Sequence, residues 1–154
     1  MIALRLSLVL FVVIFIVSGC QTSQTKTQLE PELAHWANQH MDYMPMSLHN
    51  VHVINLSNSD VNDQDLKIIP RFYELNSLDL SNTNVTDVGL NHIKKAKRLW
   101  SLNLAHTQVT DAGIAALACL STLDYLDVTD TVVSEKIITN LQNQNKDLYV
   151  NRTD

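Results

Sequence analysis

At 154 residues, with 45% hydrophobic and 18% charged side chains, the chain is sized for one small folded domain. Its 11 basic and 16 acidic residues give a formal charge of −5 at pH 7. That balance argues against nucleic acid and anionic lipid headgroups as partners, because both demand a basic patch.

The chain opens with Arg5 as a short positive region. Residues 6–17 follow and are apolar apart from Ser7. This run is short for a full membrane span. Small residues close it, as in a secretory signal. The ending Val17, Ser18, Gly19, Cys20 resembles a bacterial lipobox. That resemblance implies cleavage after residue 19, a diacylglycerol thioether on Cys20 and acylation of its amine, by palmitate among other chains. The alternative is an uncleaved membrane anchor. Gln21 is not the Asp that, by the same resemblance, holds many lipoproteins in the inner membrane. The expected location is therefore the outer membrane, facing the periplasm. From Cys20 onward, 10 basic and 16 acidic side chains leave a charge of −6. With Cys20 lipidated, Cys119 has no disulfide partner and reads as a small packed hydrophobe among apolar neighbours.

Residues 20–30 form the lipidated cysteine and a polar, Gln- and Thr-rich tether with too few apolar residues to fold. Pro31 suits a first helical turn. Leu33, Ala34, Trp36, Ala37 and Met41 then give a short helix one apolar face. Residues 31–50 read as a helical N-terminal cap, since the end of a stacked array needs covering.

From residue 51 to residue 146 the chain repeats itself every 24 residues. Blocks begin at Val51, Leu75, Leu99 and Leu123. Their fourth positions are Ile54, Leu78, Leu102 and Leu126; their sixth are Leu56, Leu80, Leu104 and Val128. The ninth are Ser59, Thr83, Thr107 and Thr131; the eleventh are all valine, at 61, 85, 109 and 133. Leu66, Leu90, Ile114 and Ile138 share position sixteen, and Ile69, Ile93, Leu117 and Leu141 share position nineteen. Such a period marks a stacked solenoid in which no repeat buries its apolar face alone.

The central blocks, LNSLDLSNTNVTDVGLNHI and LWSLNLAHTQVTDAGIAAL, fit L-x-x-L-x-L-x-x-T-x-V-T-D-x-G-[LI]. This resembles the leucine-rich repeat family in its threonine variant, found in many bacterial repeat proteins and in eukaryotic F-box-associated repeats. Nothing upstream resembles an F-box. The expected class is α/β: a short leucine-rich repeat solenoid over residues 51–154, with parallel strands on the concave face and helices on the convex face.

Within a block, positions four and six alternate with polar neighbours, which predicts a short half-buried strand. Position twelve (Asn62, Thr86, Thr110, Ser134) supplies helix N-caps. Position thirteen (Asp63, Asp87, Asp111, Glu135) places an acid at the positive helix end. Gly89 and Gly113 permit a close backbone approach. The resemblance implies that the position-nine hydroxyl bonds inside the turn between strand and helix. At the C-terminus, Leu148 and Val150 alternate around Tyr149 as a final edge strand, in a block that reads about two residues short.

Function is expected on the outward side chains of the sheet. Position five carries Asn55, Asp79, Asn103 and Asp127, which on rungs roughly 4.8 Å apart form an amide–carboxylate ladder. Position eight carries Asn58, Asn82, His106 and Asp130. Trp100 at position two and Tyr125 at position three are large amphipathic anchors of the kind favoured at interfaces. The candidate partner-binding face is Trp100, Tyr125, Asp79, Asn103, Asp127, His106 and Asp130.

His106 and Asp130 should be neighbours, a pair suited to general base work or to a metal. Against a hydrolase or metal site stand several absences: no nucleophile elbow, phosphate loop, paired-cysteine motif or HExxH. His35, His40, His49, His52 and His92 lack ligand spacing. The sequence therefore reads as a non-enzymatic, lipid-anchored module that binds another protein in the cell envelope, with no cofactor. The alternative is a passive structural subunit stacking on a larger envelope assembly.

Overall fold

The computed structural model describes residues 51–153. The signal segment, Cys20, the tether and the helical cap fall outside the described residues.

Each block begins with a three-residue strand: β1 Val53–Asn55, β2 Ser77–Asp79, β3 Ser101–Asn103, β4 Tyr125–Asp127 and β5 Tyr149–Asn151. All neighbours pair in parallel, in the order β1-β2-β3-β4-β5. Ile54, Leu78, Leu102, Leu126 and Val150 stand opposite one another along the sheet. The strand covers positions three to five. Position six lies just past it but stays in the hydrogen-bonded ladder, with Leu56 N–H donating to Asp79 O at 2.8 Å and Leu80 N–H to Asn103 O at 2.9 Å.

The return path is helical in three blocks: α1 Asp87–Ile93, α2 Asp111–Ala116 and α3 Glu135–Gln144. The first block instead forms a 3₁₀ helix, Asp65–Arg71, with Pro70 inside it. Pro70 has no N–H to give to the helical ladder, so the i→i−4 pattern cannot run through it. Thr86 and Thr110 cap α1 and α2 as expected, accepting from the N–H of Val88 and Ala112. Ser134 does not cap α3 in this way.

The core is the set of repeating positions. Ile54, Leu56, Leu66, Ile69, Leu80, Leu90, Ile93, Leu102, Leu104 and Ile114 have no accessible surface. Position twenty-two adds Phe72, Ala96 and Leu120, all buried. Their carbonyls accept from Leu75, Leu99 and Leu123 N–H, the turn that returns the chain to the next strand. Every position-nine hydroxyl donates to the position-six carbonyl three residues back, at 2.5–2.6 Å.

Two expectations fail. The last block is not short: Tyr125 pairs with Tyr149 and Asp127 with Asn151, so the 24-residue period holds to the end. The closing turn there comes one residue later, with Leu148 N–H donating to Asn145 O. Leu148 is therefore buried ahead of the strand, where position one is the polar Asp147. Cys119 is exposed and not packed. It ends the 3₁₀ turn Leu117–Cys119, in which Leu117 and Leu120 take the core and the thiol faces the Lys94 and Ala116 carbonyls at 3.5 Å.

Candidate functional site

Position five sits at the end of each strand with its side chain outward. Its first task is local. Oδ1 of Asn55, Asp79, Asn103 and Asp127 accepts the backbone N–H two residues on, at 2.9–3.0 Å. This Asx turn bends the chain out of the strand. Asp79–Asn103 and Asn103–Asp127 are opposite pairs in the sheet. The cross-rung amide–carboxylate bond is made at the C-terminal end, where Asn151 Nδ2 donates to Asp127 Oδ2 at 2.8 Å.

Position eight is also structural before it is anything else. Asn58, Asn82, His106 and Asp130 all have φ between 52° and 58°. Only glycine enters this left-handed region freely; Asn, Asp and His tolerate it best among the rest. The residue types at this position carried that signal in the sequence. His106 and Asp130 do meet, with Nδ1 and Oδ2 3.2 Å apart and both side chains about half exposed. Asp130 Oδ1 also accepts from the Thr153 hydroxyl at 3.1 Å. Among the described residues, no three His, Cys, Asp or Glu side chains are placed to hold a metal ion.

Trp100 and Tyr125 stand on adjacent rungs, with Tyr125 N–H donating to Trp100 O at 3.0 Å. Tyr125 lies on the sheet face, where its ring stacks on Tyr149 with centroids 5.9 Å apart and planes at 19°. Its hydroxyl donates to Asp127 Oδ2 at 3.4 Å. Tyr149, which sequence reasoning did not single out as a binding residue, is 62% exposed on the edge strand. Trp100 is 52% exposed at the strand-entrance rim, beside an open hollow that it shares with Asn76 and Asp124.

The electrostatics follow these contacts. Partial burial pushes the Tyr125 hydroxyl up, and the Asp127 charge pushes it further. Partial burial also works to raise Asp127, but hydrogen bonds from Asn151, Thr129 and Tyr125 outweigh it and leave the carboxyl below its ordinary value. Asp111 is held low by the Ser134 hydroxyl and N–H, with a smaller contribution from Lys136. A carboxyl that titrates lower in the folded state contributes stability above its unfolded value of about 3.9, and loses it as pH falls through the folded value. The melting temperature should therefore fall on acidification below about pH 4. Asp127→Asn should flatten that fall, as measured by circular dichroism melts across the acid range.

The position-thirteen acids Asp87, Asp111 and Glu135 sit in the first turns of their own helices as expected, and Asp63, Asp87 and Asp111 also serve the following repeat. Asp63 Oδ1 accepts Thr86 N–H at 2.8 Å and Gly89 N–H at 2.9 Å, and its Oδ2 accepts the Thr86 hydroxyl at 2.7 Å. Asp87 does the same for Thr110, and Asp111 for Ser134. The two glycines make room for this approach. A Cβ on Gly89 would lie 2.6 Å from Asp63 Oδ1, and one on Gly113 would run into Asp87 Oδ1. In the first block, position fifteen is Asp65, whose Oδ2 accepts Asn62 N–H at 3.0 Å. That rung supplies its own carboxylate.

No family model and no curated protein matches the chain. Among solved structures, it is similar to actin-binding site 2 of leiomodin-1, with a TM-score of 0.59 and 22% identity, over 69% of this chain and 72% of that one. Two internalins of Listeria monocytogenes str. 4b F2365 align more loosely. One has a TM-score of 0.41 at 16% identity, over 69% of this chain and 44% of that one. The other, internalin C2, has a TM-score of 0.39 at 16% identity, over 80% of this chain and 74% of that one. At such identities the likeness is one of fold. The chain is an α/β leucine-rich repeat solenoid.

Proposed function

We propose that this chain is a lipid-anchored protein-interaction module of the bacterial cell envelope, which grips its partner with the outward face of the sheet. The observation that carries the reading is the Tyr125–Tyr149 stack beside Asp127. Two large rings at the open end of a polar sheet give apolar area bordered by a fixed carboxylate, the mixture that anchors interfaces. Asn103 and Asp79 continue the surface inward, and His106 with Asp130 borders it. A partner with an exposed Arg or Lys beside an apolar patch complements this face. The fold it shares with an actin-binding region of leiomodin-1 supports protein recognition as its general use.

The test is photo-crosslinking from this face in intact cells, then surface plasmon resonance against the recovered partner. Tyr149→Ala should weaken binding about thirtyfold or more, since truncating a hot-spot aromatic costs roughly 2 kcal/mol or above. Asp127→Asn should act chiefly on the association rate and its salt dependence. Undiminished affinity in both variants, with the fold intact, moves the interface off this face. It would then favour the second reading, a subunit that stacks on an assembly through the outer edge of β5.

Anchoring rests on the lipobox. Among the described residues no helix is long and apolar enough to cross a membrane, and the proposal assigns attachment to Cys20. Cys20→Ser should abolish incorporation of radiolabelled fatty acid and leave an unprocessed precursor. Equal labelling of both proteins rules the anchor out. With Gln21 following the cysteine, the proposed location is the outer membrane, facing the periplasm, which membrane fractionation of the labelled protein checks.

A further inference from the structure

Position two draws a second row across the sheet, at the strand-entrance rim. Trp100 N–H donates to Asn76 O at 2.7 Å, and Asp124 N–H to Trp100 O at 2.9 Å. These bonds hold an amide, an indole and a carboxylate side by side on adjacent rungs. With Arg98, Ser121 and Thr122 they line an open hollow of about 590 Å³. Its floor is fixed: the Thr122 hydroxyl donates to Leu99 O at 2.8 Å. Its walls are held as well. Arg98 is ion-paired with Glu74, and Asn76 Oδ1 meets His52 Nδ1 at 3.0 Å. The Asn76 NH₂ group and the remaining Arg98 N–H groups are left as donors. Asp124 keeps its carboxylate without a hydrogen-bond partner among the described residues.

We propose that this hollow is a binding site for an uncharged saccharide, with Trp100 as the platform for one pyranose ring. A pyranose ring has an apolar C–H face and a rim of hydroxyls, each both donor and acceptor. The half-exposed indole takes the face. Asn76 and Arg98 donate to the rim, and Asp124 accepts from it. A lysine side chain offers donors only and would leave Asn76 and Arg98 without acceptors. An anionic ligand would meet Asp124. Like small-molecule sites, the hollow pairs an apolar surface with a few fixed polar groups. Tyr125 and Tyr149 do not line the hollow, so this site goes beyond the protein-binding face and stands or falls separately from it.

The experiment uses the full-length chain in detergent micelles, labelled with 5-fluorotryptophan. Its two resonances, from Trp36 and Trp100, are assigned with Trp100→Phe. Triacetylchitotriose and cellotriose are the sugar probes, and trialanine is the peptide control. At least one sugar should shift the Trp100 resonance saturably, and trialanine should not. By calorimetry Trp100→Ala should lose the binding, and Asp124→Ala should weaken it about tenfold, as removing one well-made polar contact does. Tyr149→Ala should bind sugar like the wild type. No saturable shift with either sugar overturns the proposal. A shift with trialanine alone reassigns the hollow to peptide, and sugar affinity undiminished in Trp100→Ala moves the site elsewhere.

Discussion

Leu102→Ala should destabilise the domain by about 2–5 kcal/mol, through the apolar transfer lost and the cavity left behind. Leu102 lies on the central strand, opposite Leu78 and Leu126, with no accessible surface. Its neighbours are held on both sides by the parallel ladder and have little freedom to collapse into the gap. A small domain has only about 5–15 kcal/mol in total. A change of this size therefore removes a large part of it, at about 4–8 °C of melting temperature per kcal/mol. Leu104→Ala, equally buried one position past the strand, should behave alike. Gln108→Ala should stay within about 0.5 kcal/mol, because its side chain is exposed and its backbone bond to Val85 O survives the change. Equal melting of all three variants would contradict the register described above.

Asp63→Ala should cost about 2–3 kcal/mol although the residue is only half buried. Removing its carboxylate takes the acceptor from Thr86 N–H, the Thr86 hydroxyl and Gly89 N–H at once. The last of these is a buried donor in the first turn of α1, whose other acceptor is Thr86 O at 3.1 Å. Asp60→Ala, exposed one turn earlier, is the control and should be near neutral. Urea unfolding gives the energy. Hydrogen exchange at Val88 and Gly89 gives the place, since these amides should lose protection first. If Asp63→Ala unfolds with Asp60→Ala, the inter-rung carboxylate is ornamental.

Most of the fold was legible because burial at a fixed period is a one-dimensional signal. Leu78, Leu102 and Leu126 could be aligned on paper, and so could the position-nine hydroxyls and the threonine N-caps of α1 and α2. What escaped was whatever depends on a neighbouring rung or on a backbone angle. Asp87 opens its own helix as the sequence implied, but its bonds to Thr110 are visible only once the next repeat is stacked beside it. Asn82 and His106 look like surface candidates until their left-handed backbone is seen. The β5 register was lost because one polar residue, Asp147, stands where leucine marks the start of other blocks, and Leu148 fills the place from the next position. Of the candidate site, the His106–Asp130 contact could be foreseen from adjacency. The Tyr125–Tyr149 stack could not, because the register that brings it about was itself misread.

The carboxylate row gives the array a direction. Asp63, Asp87 and Asp111 each reach forward to the repeat after them, and a glycine receives the first two. The first block breaks the rule by using Asp65 on itself. Growth by gene duplication is therefore unequal along the chain. Copying the second or third block in tandem adds a rung with every contact already provided. Copying the first block into the interior would set Asp65 in the glycine's place, against the carboxylate arriving from the rung before. Lineages that lengthen or shorten this protein should do so by gaining or losing its middle repeats.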